Sequence, residues 1–532
     1  MASPLALAQP TATGPQSLTF QSSIDDSGQQ YALYLPSPYD ASKEYPLVIT
    51  LHSEESNHRF NLLQVLAQGN RLADTGRVSL NYFRDVRGPN FIIAAPLVRG
   101  TMGYRGIAEK DVYDMLADVK RRFRVDEDRI YLTGISMGGG GALWLGLTRP
   151  DIWAAVAAVC PIPVPGTEAF VSNGLNLPVR LFHGDQDPIA PVSTSRQWQR
   201  RLLDVGVPAD YIEYPAVRHN SWDLAYKDGA LFNWFTTFKR DREPERVRFS
   251  TDAYRYDKAY WVRIDGLTPG TLASIDARQT PGNTVSVETQ NLDGFTLSLN
   301  HSVLAVTIDG TGIRIKPGAA PSFHKQSGKW VSGLIPLAGK RPGLEGPIVD
   351  AVYDRHIYVY GTAGSPSPEE LAFRWKQAET AAEWSTARER LQLSLTVKAD
   401  KDITQQDLDR SDVVLFGTSE TNSLIARFAP RLPLALNPGA ADYGLLFIAG
   451  VGKHYALISS GLPWWTGYSD AGAQADHFSP PIYEQLQSLG DYLIFKGSVA
   501  HVVAEGRFDR NWKVPRDAAE KIAATGTVTL SR

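Results

Sequence analysis

From residue 45 to about 240 the chain alternates short apolar runs with amphipathic ones, the pattern of a parallel sheet covered by helices. The runs "YPLVITLH" (45–52), "FIIAAP" (91–96), "RIYLTGIS" (129–136), "WAAVAAVCPI" (153–162), "VRLFHGDQD" (179–187) and "DYIEYPAVRH" (210–219) read as buried strands. Between them "EKDVYDMLADVKRRF" (109–123) places Val112, Met115, Leu116, Val119 and Phe123 at helical spacing. After the charged linker "KRDREPERVR" (239–248) the rhythm changes to short alternating runs split by Gly, Pro, Asn and Asp, predicting a sandwich or barrel of about five to eight strands. Past "LAGKRPGLEGP" (337–347) the α/β rhythm returns, and "RHIYVYGTAGSPSPEELAFRW" and "SDVVLFGTSETNSLIARF" share one plan of strand, Gly-Thr turn and helix. That internal echo predicts a doubly wound domain. The expected organisation is an α/β catalytic domain at 18–242, a β-sandwich-like module at 246–337 and a C-terminal α/β domain at 345–532.

A chain of 532 residues exceeds one ordinary core, in keeping with several domains. The formal charge of -3 gives no electrostatic support for a nucleic-acid or anionic-membrane partner, and no apolar run is long enough to span a bilayer. The single cysteine, Cys160, excludes an internal disulfide and a Cys-rich metal site, and its neighbours "AAVAAVCPIP" read as core. The start, "MASPLALAQP", resembles the tail of a secretory signal without its charged and apolar regions, so a secreted or periplasmic location is expected.

The chemistry concentrates in the first domain. In "YLTGISMGGGGALWLG" (131–146) a β-branched and aromatic strand runs directly into Ser136, and a helix follows without a loop. This strand-turn-helix context is what a nucleophile elbow requires, with Gly134 and Gly138 small enough to permit the strained turn. A serine needs a base and the base an orienting acid. Asp185 and Asp187 end one later strand and His219 ends the next, in the order Ser, Asp, His.

These residues carry a resemblance. "LH" at 51–52, "GISMGG" at 134–139, "HGDQDPIAPV" at 183–192 and "HNSW" at 219–222 resemble the α/β-hydrolase superfamily, in its dienelactone-hydrolase, feruloyl-esterase and prolyl-oligopeptidase-like branch. The resemblance implies Asp187 as the acid, with Asp185 the fallback, His219 as the base and His183 as a structural residue of the strand-end turn. It also implies an oxyanion hole built from the backbone N–H of Met137 and one from Ser53 or Glu54, where relatives usually carry glycine. Stretches beyond residue 345 resemble, less specifically, the C-terminal region of multidomain prolyl-oligopeptidase-like bacterial proteins.

Three functions compete. The first is a serine carboxylesterase acting on a small-molecule or carbohydrate-linked ester, with Trp222 and Tyr104 lining the pocket and feruloyl or acetyl esters of plant polysaccharides as candidates on resemblance alone. The second is a prolyl-oligopeptidase-like peptidase, disfavoured because the residues ahead of the first core strand are too few for a β-propeller. The third is a dormant hydrolase that binds carbohydrate or protein, for which "GLPWWTGYSD" (461–470) could offer a stacking platform, although buried aromatic packing at a domain interface is the stronger reading of that stretch. No cofactor is expected: nucleotide and flavin fingerprints are absent, and "HSEESNH" lacks the H-E-x-x-H zinc spacing. The two Gly-Thr turns could take an anion, but without a full G-x-G-x-x-G or Walker pattern they read first as helix starts with N-caps at Ser365, Ser367 or Thr421. Oligomeric state is not legible in the sequence.

Overall fold

The computed structural model describes residues 12–54, 56–66, 89–100, 102–268, 270–316, 318–336, 339–384, 391–467 and 481–531. The signal-like opening segment, Glu55 and the end of the "GLPWWTGYSD" stretch lie outside them.

The first sheet has eight strands: β1 (Gly14–Gln21), β2 (Gly28–Leu35), β3 (Tyr45–Leu51), β4 (Ile92–Pro96), β5 (Val125–Ile135), β6 (Ala155–Val159), β7 (Val179–Gly184) and β8 (Ala209–Tyr214). Their spatial order is β1-β2-β4-β3-β5-β6-β7-β8. The β1/β2 and β2/β4 pairs are antiparallel and every later pair is parallel. Strand alternation sends successive side chains to opposite faces, and both faces are covered, which is why these strands read as nearly continuous apolar runs. Leu47, Ile49 and Leu51 pack on one side with Val112, Met115 and Val119 of the helix Ile107–Arg122 (α2 below). Val48 faces the other side with Leu62 and Val65 of α1 (His58–Val65). The Asn57 side chain caps α1, accepting from the N–H groups of Arg59 and Phe60. Two further helices follow sheet strands, α3 (Met137–Thr148) after β5 and α4 (Ser193–Asp204) after β7.

Ten short strands follow, in two five-stranded sheets whose inward residues, among them Phe249, Ile275, Val285, Phe295, Val306 and Phe323, make one core. The strand Thr284–Gln290 shows the alternation directly, with Val285 and Val287 buried and Ser286 and Glu288 exposed. The first domain grips this module by polar contacts. Asn173 Oδ1 accepts from Ser250 N at 2.7 Å, while its Nδ2 donates to Ser250 O at 3.0 Å. Glu109 accepts from Trp144 Nε1 and from Tyr256 Oη, at 2.9 and 2.7 Å.

The C-terminal sheet has seven strands and differs from the doubly wound expectation. The four formed by Thr396–Ala399, His356–Tyr360, Asp412–Phe416 and His454–Gly461 are parallel. The remaining three, Tyr443–Val451, Tyr492–Lys496 and Ser498–Gly506, are antiparallel. The cause is local: Val451 pairs with His454 across the two-residue turn Gly452-Lys453, with Gly452 at φ +70°, and a turn that short joins only antiparallel strands.

The third domain packs on the first through a shared apolar cluster that includes Ile348, Val352, Tyr353 and Trp384. Arg99, fully buried, adds a polar anchor: it pairs with Asp25 and Asp111 at 2.7 and 2.6 Å and also donates to the carbonyl of Gln392. Close by, His356 is 3% exposed, donates Nδ1–H to the Asp354 carbonyl at 2.8 Å and leaves Nε2 without a partner. Burial pulls its pKa down from 6.5 to about 4, against a smaller opposing pull from the Asp354 carbonyl. Such a histidine is neutral in the fold but charges in the unfolded chain, so its contribution is intact above 6.5 and is lost as pH falls toward 4. We expect the stability of the wild type, relative to His356→Phe, to drop by about 3 kcal/mol between pH 7 and pH 4. Urea unfolding of both proteins at the two pH values checks this, and curves that stay parallel contradict it.

Candidate active site

The site forms where β3, β5, β7 and β8 end at their C-terminal edge, the edge at which open α/β sheets gather reactive groups. β5 finishes at Ile135 and α3 begins at Met137, so Ser136 is the whole turn. Its backbone sits at φ +56°, ψ -115°, a conformation that costs a non-glycine residue about 1–3 kcal/mol. The neighbours enforce it. A Cβ on Gly134 would fall 2.0 Å from the carbonyl oxygen of Gly138, and one on Gly138 would fall 2.2 Å from that of Leu51. Backbone bonds brace the turn further: Ser136 N donates to Val159 O at 2.9 Å, and Ile162 N donates to Ser136 O at 3.1 Å. Ser136 is thus 3% exposed, presented on a rigid support.

The structure brings together three of the residues singled out in the sequence. His219 Nε2 lies 3.0 Å from Ser136 Oγ, and His219 Nδ1 lies 2.7 Å from Asp187 Oδ2. The Asp187 side chain is enclosed, and its other oxygen accepts from the N–H groups of Ile189 and Ala190 at 2.8 and 2.9 Å. Burial alone would raise its pKa, but the bond from His219 and the two amides outweigh it, so the carboxyl stays below its ordinary value and is ionised at neutral pH. Asp185 takes no part: its Oδ1 accepts from Ala216 N at 2.7 Å, capping the turn that leads to His219.

Sequence reasoning gave His183 a structural place, and the geometry gives it a specific one. Its Nε2 donates to the Ala190 carbonyl at 2.9 Å and lies 3.2 Å from Asp187 Oδ2, while Nδ1 accepts from Ser195 Oγ at 2.7 Å. Burial lowers its pKa, so it is the neutral ring that holds the acid loop in place. Ser195, on α4, went unremarked in the sequence because nothing in its neighbourhood marks it.

Met137 is the first residue of α3, directly after Ser136, so its N–H has no partner within the helix. Facing it, the loop after β3 is pinned by its own groups. Tyr104 Oη donates to the His52 carbonyl at 2.9 Å, the two ring nitrogens of buried His52 lie 2.8 and 2.9 Å from the carbonyl oxygens of Ser53 and Leu97, and Ser56 N donates to Ser53 O. Ser53 and Glu54 are both half-buried at this loop. Tyr104 is 1% exposed, which corrects its expected place in the pocket wall: it braces the loop from behind. Trp222 is half-buried beside His219, its ring edge-on to the imidazole with centroids 5.6 Å apart.

The other expected binding features close on themselves. In the third domain Arg374 donates to the carbonyls of Gly361, Ala363 and Thr421, filling the crevice between the two Gly-Thr turns. Ser367 and Asn422 cap the two helices there, whereas Thr421 Oγ1 accepts from Thr418 N. Trp464 is 1% exposed and donates to Ile482 O, so it is core and no sugar platform. A cavity of about 630 Å³ opens at the domain junction, lined by Arg255, Asp350, Asp412 and His454 among others. These groups already pair, Arg255 with Asp350 at 3.6 Å and His454 with Asp412 at 3.2 Å, and the triad lies elsewhere.

Residues 107–218 match the family model described as "Putative esterase", a stretch that includes Ser136 and Asp187 and stops one residue short of His219. Cutinase 1 of Thermobifida cellulosilytica is 32% identical over 101 residues, 18% of this chain and 36% of the relative. A probable feruloyl esterase C of Aspergillus niger is 24% identical over 209 residues, 37% of this chain and 69% of the relative. Among solved structures, a CE1 ferulic acid esterase from Anaeromyces mucronatus superposes with a TM-score of 0.33 at 18% identity, covering 44% of this chain and 93% of that one. The chain spans about a third of the length of the cutinases it matches. The family-model match, with the strand order and the strained serine turn, supports an α/β-hydrolase esterase superfamily for the first domain. The relatives it matches are named as cutinases and probable feruloyl esterases.

Proposed function

We propose that the protein hydrolyses carboxylic esters through an acyl-enzyme on Ser136. The observation that carries this reading is the unbroken relay of Ser136 Oγ, His219 and Asp187, with bonds of 3.0 and 2.7 Å. His219 Nε2 takes the hydroxyl proton as Oγ attacks the ester carbonyl, and the ionised Asp187 fixes the tautomer with hydrogen on Nδ1 and stabilises the imidazolium that forms. Charge developing on the carbonyl oxygen meets the N–H of Met137 and, from across the cleft, that of Ser53 or Glu54. His219 then returns its proton to the leaving alkoxide, and the same ring activates the water that releases the acid.

The substrate class proposed is a small or carbohydrate-linked ester, with feruloyl and acetyl esters first. It is supported by the half-buried Trp222 beside His219, which offers a flat apolar surface to an aryl or sugar group, and by the relative named as a probable feruloyl esterase. Kinetics on an aryl acetate, a methyl ferulate and a proline-containing aminoacyl anilide test the reading. Turnover of the two esters with no release from the anilide is expected. Cleavage of the anilide with no turnover of either ester would replace the esterase with a peptidase.

A further inference from the structure

Cys160 takes no part in the acyl transfer just described, yet it ends against the triad. Its sulfur, a carboxylate oxygen of Asp187 and a ring nitrogen of His219 all lie within 4.8 Å of one another. The backbone fixes that placement: Cys160 follows β6 at φ +38°, with its N–H bonded to Phe182 O at 2.8 Å. The residue before it, Val159, holds the N–H of Ser136, so thiol and nucleophile hang from one backbone joint. A second observation points to a ligand here. The Ser221 hydroxyl, 0% exposed, has the thiol as its polar neighbour and no oxygen or nitrogen partner, and a bound ion or its water would satisfy such an oxygen.

Thiolate, imidazole and carboxylate together suit a borderline or soft divalent ion rather than magnesium or calcium. Donors bound at about 2.0–2.3 Å stand about 3.3–3.8 Å apart around a tetrahedral ion, so the His219–Asp187 pair, 2.7 Å apart, opens and the Cys160 sulfur, within 4.8 Å of both, draws in to admit one. His219, 19% exposed, is the way in. We propose that Cys160, Asp187 and His219 form an inhibitory site for a thiophilic divalent cation such as zinc or cadmium, lying across the triad. The ion bonds to sulfur, whose proton passes to solvent, and to one Asp187 oxygen. It also takes the Nδ1 lone pair of His219, the Nδ1 proton reappearing on Nε2 by way of solvent. One proton is released per ion and no oxidation state changes. Nε2 then carries hydrogen and no longer accepts the proton of Ser136.

The site uses residues of the proposed triad but does not depend on their activity, and the test separates the two. After chelator treatment the full chain is titrated with cadmium, following the ultraviolet cadmium–thiolate charge-transfer band. Because the chain has one cysteine, any such band reports Cys160. The band is read on wild type and on Ser136→Ala, and fluorophosphonate labelling of the wild type is followed in parallel. We expect a one-to-one band in both proteins and suppression of labelling over the same cadmium range. Cys160→Ala, or Cys160→Ser if the alanine variant fails to fold, should label normally without metal and need at least tenfold more cadmium for half-suppression. Absence of the band from folded wild type, or equal suppression in the cysteine variants, overturns the site. A band in a protein that never labels would keep the metal site and remove the esterase reading.

Discussion

Ser136→Ala is expected to lower aryl-ester turnover by roughly 10³- to 10⁶-fold and to abolish fluorophosphonate labelling, with little change in KM. The magnitude follows from what the serine alone supplies. No other described hydroxyl bonds His219 Nε2, so without Oγ the ring has only water to activate. The substitution leaves the turn intact, since its conformation is imposed by Gly134, Gly138 and the Val159 carbonyl rather than by the serine hydroxyl. Loss of activity with an unchanged unfolding curve is therefore the expected pair of results. Residual turnover within tenfold of wild type would move the nucleophile elsewhere.

Asp187→Asn should cost about 10⁴-fold in kcat while sparing the fold and substrate binding. The two amides of Ile189 and Ala190 both donate to one oxygen of Asp187. An asparagine placed there keeps its carbonyl oxygen on those donors and turns its NH₂ toward His219 Nδ1. That forces the ring into the tautomer with hydrogen on Nε2, which cannot take the proton of Ser136. Asp185→Asn is the control: its carboxyl only caps the turn at Ala216, so kcat should change by less than about tenfold. Steady-state kinetics of both variants beside the wild type decide the matter, and equal losses would contradict the assignment of the acid.

What was legible follows from where the constraints lie. The central parallel strands of the first domain are buried on both faces, so Leu47 to Leu51, Thr50 apart, and Ala155 to Val159 had to be apolar and stood out. Ser136 was legible because it ends such a strand, with glycine demanded around it by contacts of about 2 Å, and Asp187 and His219 because they lie in the loops that follow β7 and β8. The antiparallel strands β1 and β2 were not picked out: β1 alternates polar and apolar residues at the sheet edge and buries little. The mixed C-terminal sheet turned on a two-residue hairpin around Gly452, a single local choice that apolar runs do not report. Tyr104 misled because an aromatic residue near a site fits a pocket wall or a brace equally well until its hydroxyl is seen on the His52 carbonyl. Contacts such as Arg99 to Gln392, across 293 positions, or the thiol of Cys160 beneath His219, exist only in the folded chain.

The central claim is that Ser136 carries the acyl group, and trapping that intermediate tests it most directly. Wild-type protein is mixed with excess aryl ester, quenched in acid within the first turnovers and mapped by peptide mass spectrometry. The account predicts one added acyl mass on the peptide holding Ser136, absent from Ser136→Ala. An acyl mass on any other residue, or rapid turnover with Ser136 unmodified in both burst and steady state, would contradict it.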